Sequence, residues 1–124
     1  MIKRGLAGLI GAMNIANGLV MVVNGQNWYH RVPGVSDTGP YNPHFVQDIG
    51  LAFIVAGGAF VARAWRPAYW PAAVSGGAFV VAHATLHLIG MGHSHHPAFD
   101  LGVLVVPSIV ALWAATPDKD KPHA

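Results

Sequence analysis

The sequence predicts an all-α integral membrane protein, a four-transmembrane-helix bundle with both termini cytoplasmic. Three observations lead there. The 124 residues are 53% hydrophobic and only 10% charged, whereas about a quarter of a soluble domain's residues carry charge. Four stretches, residues 5–24, 43–62, 68–91 and 99–115, approach the ~20 apolar residues that cross a hydrocarbon core. Six of the seven bases, Lys3, Arg4, Arg63, Arg66, Lys119 and Lys121, fall on one side of this layout, and only Arg31 falls on the other. That asymmetry is the positive-inside pattern. It leaves outer loops at 25–42 and 92–98 and a cytoplasmic tail at 116–124, all within one membrane domain.

The first stretch follows Lys3 and Arg4, as a cleaved signal peptide would. Asn14, Asn17, Met21 and Asn24, however, recur at helical spacing and form a polar stripe suited to a bundle interior, so the stretch reads as a permanent span. The second stretch opens from the outer side at Pro43. The third lies between aromatic belts, Trp65, Tyr69 and Trp70 at the inner end against Trp28, Tyr29, Tyr41, Phe45 and Phe99 at the outer one. Pro107 interrupts the fourth, where it kinks the helix and frees a carbonyl near Val103, with Ser108 as a local partner. Glycines 5, 8, 11, 50, 57, 58, 76 and 77 recur through the spans and let membrane helices approach closely. The opening of the second span, Pro43-His44-Phe45-Val46-Gln47-Asp48-Ile49-Gly50, has a gapped echo in Pro97-Ala98-Phe99-Asp100-Leu101-Gly102, as a duplicated hairpin would leave.

The chemistry rests on an imbalance. There are 8 histidines against 5 acids, no Glu and no Cys, which excludes thiolate sites, disulfides and cysteine nucleophiles. His44 and Asp48 stand four residues apart at the start of the second span, and His83 and His87 four apart near the end of the third, each pair on one helix face. Antiparallel spans put both at one membrane level, where Asp100 joins them from the fourth. Ionisable groups at that depth mark function, and His pairs at i and i+4 are natural ligand platforms. His44, Asp48, His83, His87 and Asp100 are therefore the candidate metal site, for copper, zinc or non-haem iron. An Asp would ligate directly or orient a His. His93, His95 and His96 in the outer loop could capture metal and pass it inward. The 25–42 loop, rich in aromatics and turn formers, reads as an ordered cap able to close over the cluster.

His83-Ala-Thr-Leu-His87 followed by His93-Ser-His95-His96 is similar to the first histidine boxes of membrane di-iron desaturases and hydroxylases. The second box is one residue short and no third exists, so no role is carried over. The overall plan, with Trp28-Tyr29, Val32-Pro33-Gly34-Val35, Thr38-Gly39-Pro40, Asn42-Pro43-His44-Phe45 and Asp48, resembles small bacterial four-helix membrane proteins of the DoxX-like kind. That resemblance implies architecture only, without an activity; the expected place of the chain is the bacterial inner membrane, as a multi-pass protein.

The leading expectation is a periplasmic-facing metal-binding protein. As an enzyme it would be a metal-dependent oxidoreductase in which the ion activates water or dioxygen. Two alternatives stand open: electron transfer through haem b held by His44 and His83 or His87, and a non-catalytic subunit or transport module whose His/Asp cluster handles protons. The bilayer is the expected partner, together with other membrane subunits or a second copy of the chain. No P-loop or dinucleotide fingerprint points to a nucleotide, and the bases are too scattered for nucleic acid.

Overall fold

A computed structural model describes residues 1–90 and 95–118. Among them the only regular structure is helical, and four helices are long and apolar enough to cross a membrane: α1 Ile2–Arg31, α2 Pro43–Trp65, α3 Trp70–Gly90 and α4 Pro97–Ala115. Short 3-10 turns at Val35–Thr38 and Pro67–Tyr69 link them. Asn42 caps α2 by accepting a hydrogen bond from the Phe45 amide at 3.1 Å, and Pro43 follows in the first turn, where its missing N–H costs nothing.

Helix α1 runs past its expected end. No glycine or proline follows Gly25 until Pro33, so nothing stops the helix at 24, and instead it breaks at Asn24, whose φ is −139° and ψ 46°. The break kinks the helix at that point. Trp28 Nε1 donates to Asn17 Oδ1 at 2.9 Å, although eleven residues of straight helix would separate their backbones by about 16 Å. The buried Tyr29 hydroxyl donates to the Gly39 carbonyl, which ties the loop to the helix that precedes it.

Helices α1 and α2 meet backbone to backbone. A Cβ on Gly11 would stand 2.7 Å from the Gly57 carbonyl oxygen, one on Gly57 2.6 Å from the Gly11 oxygen, and one on Gly50 2.9 Å from the Gly18 oxygen. Only hydrogen fits at these crossings. The seven-residue steps from Gly11 to Gly18 and from Gly50 to Gly57 keep the seam on one face of each helix. A Cβ on Gly76 of α3 would similarly stand 3.0 Å from the Ala56 carbonyl oxygen.

The packed core, Ala7, Phe60, Ala73, Val80, Ala111, Ala114 and Ala115, occupies the half of the bundle nearer the termini. Basic groups close that end. Lys3 donates to Thr116 Oγ1 and the Pro117 carbonyl at 2.8 and 3.0 Å, and Arg4 caps α2 through the Ala64 and Trp65 carbonyls at 2.9 and 3.0 Å. Arg63, expected among the loop bases, instead lies inside α2 with 0% exposure. Its Nη2 donates to the Thr116 carbonyl at 3.2 Å and to Asp118 Oδ2 at 3.1 Å. Its Nε and Nη1 have no partner among the described residues.

Helix α4 is not uniform. An α turn at Pro97–Phe99 leads into a π segment at Asp100–Val105, and α geometry returns from Val106 to Ala115. Pro107 offers no N–H to the preceding turn, and the wider π turn stands directly ahead of it. The Ser108 hydroxyl lies within reach of the Leu104 carbonyl, as the sequence suggests, and also 3.2 Å from the Val80 carbonyl of α3. Its single proton serves one or the other.

Candidate functional site

The five expected ligands fall into two groups. His44 and Asp48 pair with each other at 3.5 Å on the first turns of α2, with side chains 86% and 57% exposed. His83, His87 and Asp100 gather separately between α3 and α4. Helix periodicity alone put both pairs at one level, but it did not determine which way the face of α2 turns. That face turns outward because Gly50 and Gly57 commit the opposite one to α1.

On α3 the His83 and His87 rings stand 5.0 Å apart, centre to centre, the spacing that one helical turn imposes on an i, i+4 pair. Phe53 of α2 meets the His83 ring edge-on at 5.4 Å, and Phe79 stacks on it at 6.2 Å. These aromatics hold the imidazole in place. No hydrogen bond is made by its ring nitrogens to the described residues. His87 points its Nδ1 toward Asp100 Oδ1 at 3.5 Å. Asp100 is 5% exposed and opens the π segment of α4, a kind of turn often found at functional sites. Among the described residues no three His or Asp side chains are close enough together to hold an ion as they stand.

Space adjoins the cluster on two sides. A cavity of about 290 Å³ is lined by Gly34, Asp37, Thr38, Leu86, His87, Gly90 and Asp100. The 3-10 turn at Val35–Thr38 supplies part of its wall, so the loop between α1 and α2 borders the cluster. His96 stands beside it, its Cδ2 3.8 Å from where a Cβ on Gly34 would lie. His95 is exposed, and His93 lies outside the described residues. A second cavity of about 90 Å³ sits deeper, where all four helices contribute: Ile10 and Asn14, Phe53, Val80 and His83, and Val103 to Ala111 including Ser108.

Sequence reasoning missed Asp37 and Thr38 as neighbours of His87, and it treated Ser108 only as a local partner. Nothing in the spacing of a 3-10 turn points across to another helix. Asn14 was legible through the polar stripe. Asn14 Nδ2 donates to the Ile10 carbonyl at 2.8 Å, and the residue lines the deeper cavity. Of the rest of that stripe, Asn17 pairs with Trp28, Met21 is 2% exposed and Asn24 marks the break in α1.

Comparison with protein-family models, with curated proteins and with solved structures returns no match.

Proposed function

We propose that this chain is a multi-pass protein of the bacterial inner membrane that binds a transition metal ion, copper, zinc or non-haem iron, at His83 and His87 with Asp100 beside them. The observation that carries the reading is the ring geometry on α3. Two imidazoles on one tetrahedral ion, with metal–nitrogen bonds of about 2.0 to 2.1 Å, have centres about 5 Å apart. His83 and His87 stand 5.0 Å apart next to a cavity of about 290 Å³. Asp100, facing His87 Nδ1, fits the orienting carboxylate that ligating histidines commonly have, and that arrangement leaves His87 Nε2 for the ion. Water, Asp37 or His96 would complete the set. When bound, the ion would supply Lewis acidity toward water or dioxygen. His44 and Asp48, expected as ligands, stay outside this reading as an exposed pair. Haem b between His44 and α3 draws no support from that placement.

The positive-inside pattern supports cytoplasmic termini, since Lys3, Arg4, Arg63 and Arg66 all lie at the terminal end of the bundle. The cluster then faces the periplasm.

A second reading has its own observation. His87, partly buried, pairs with the buried Asp100 at 3.5 Å, and among the described residues no group of three ligands is assembled around them, as a proton-handling subunit needs. Elemental analysis and an absorption spectrum of detergent-purified, untagged protein, beside the double variant His83→Ala, His87→Ala, separate the two. About one tightly bound iron, copper or zinc per chain, lost in the variant, is expected from metal binding. Folded, metal-replete wild type without any ion would transfer the assignment to proton handling.

A further inference from the structure

We infer that water enters this bundle from the end opposite the termini and stops halfway, so that the two cavities flanking His83 and His87 form a half-channel for water and protons. The inference concerns the space around the cluster and holds whether or not an ion occupies it.

The outer cavity reaches the surface, because Asp37, Thr38 and Gly90 on its wall are exposed. Its inner wall is His87 and Asp100. The His87 ring touches that of His83, and His83 also lines the deeper cavity. The pair is thus the partition between the two spaces, and each ring belongs to one of them.

The deeper cavity suits water. Its volume of about 90 Å³ is well above the ~10–15 Å³ that holding a water requires, and a water held there needs two to four polar partners. Asn14 offers Oδ1 from α1, Ser108 its hydroxyl oxygen from α4, and His83 its two ring nitrogens from α3. Pro107 leaves one carbonyl of the preceding turn without a helical donor. Phe53, the contribution of α2, is apolar. A dry cavity would leave the His83 ring nitrogens without a hydrogen bond to the described residues, at a cost in free energy.

Below, the path ends. Ala111 lines the deeper cavity and is also part of the packed core. Ala7, Phe60, Ala73, Ala114 and Ala115 fill the bundle from there to the terminal end, each with 0% exposure. Small side chains with no space between them leave no room for a water file.

The chain has no cysteine, so single thiols can report water access without other changes. Thr38→Cys marks the outer mouth, Ser108→Cys the deeper cavity and Ala114→Cys the core below it. Asn14→Cys is a second marker of the deeper cavity should Ser108→Cys fail to fold. Each full-length variant is reconstituted in sealed vesicles, and its orientation is read from protease access to the C-terminal tail. Silver ion, which is small and reacts with hydrated thiols, is added to one side. The readout is the loss of maleimide labelling after unfolding in dodecyl sulfate. Thr38→Cys and either cavity variant should lose labelling when silver is on the face away from the termini, and Ala114→Cys should retain it. An unreactive deeper cavity in folded protein with a reactive Thr38→Cys would overturn the inference, as would silver reaching Ala114→Cys equally fast.

Discussion

Helices α1 and α2 meet with their backbones in contact, whereas α3 and α4 meet through side chains that leave room between them. The first pair spends four glycines at two crossings, and there a Cβ has no space at all. The second pair is joined by Ser108 reaching Val80, by His87 facing Asp100 and by alanines near the terminal end, with cavities of about 90 and 290 Å³ at its flanks. A membrane bundle cannot rely on the hydrophobic effect to hold helices together, so close packing must do it. One hairpin therefore acts as the rigid wall, and the other is free to carry polar groups and space. The proposed site lies in the looser half.

The sharpest way to break that contrast is to replace a seam glycine. Gly57→Leu should cost about 3 kcal/mol or more, because neither backbone can yield to the new side chain, and a thermal melt in detergent would show it. Gly58→Ala, one position on, should be neutral, since nothing lies within 4 Å of a Cβ there. Equal tolerance at both would mean that the seam is not tightly packed. The next effect lies in the looser hairpin: Asp100→Asn should weaken metal binding about 10- to 100-fold, as loss of an orienting carboxylate does, with little change in melting. Calorimetric titration of the purified protein reads this, and His44→Ala in parallel should leave affinity unchanged. A smaller change is expected of Ser108→Ala, which removes one side-chain hydrogen bond, to Leu104 or to Val80 of α3, and should lower stability by about 0.6 kcal/mol.

The smallest effect is one of pH, outside the membrane. The hydrogen bond from Arg63 holds the Asp118 carboxyl below its usual range, the charges of Arg63, the N-terminus and Lys3 add to this, and desolvation pulls the other way. A lowered folded value means that the tail contact stabilises above the ordinary Asp range and is lost as pH falls through the folded value. Melting temperature should therefore decline below about pH 4, and Asp118→Asn should flatten that part of the profile.

The four spans were legible because apolar length is read directly along the chain, and the glycine seam was legible as composition. Its pairing was not. Which glycine meets which depends on the relative rotation of α1 and α2, and that rotation also turned His44 and Asp48 away from the cluster. His83, His87 and Asp100 were recoverable because an i, i+4 pair and the antiparallel order of adjacent spans suffice to place them. Arg63 was misread for a simple reason: a base two residues before a span's end looks like a loop charge until the partner that buries it, Asp118, is known. The contact is 55 residues long in sequence, beyond any local pattern.

That separation has a consequence for biogenesis. A ribosome adding about 5 to 20 residues per second makes Arg63 roughly 3 to 11 s before Asp118. Throughout that interval the guanidinium has neither Thr116 nor Asp118 to receive its protons, and an unpaired charge is costly in hydrocarbon. The terminal end of α2 must therefore wait in the headgroup layer, solvated by water or lipid phosphate, until the last residues of α4 leave the ribosome. Closure of the bundle at that end is in this way deferred until the end of α4 has been made, and a nascent chain truncated before Thr116 would hold an open gap beside the packed core.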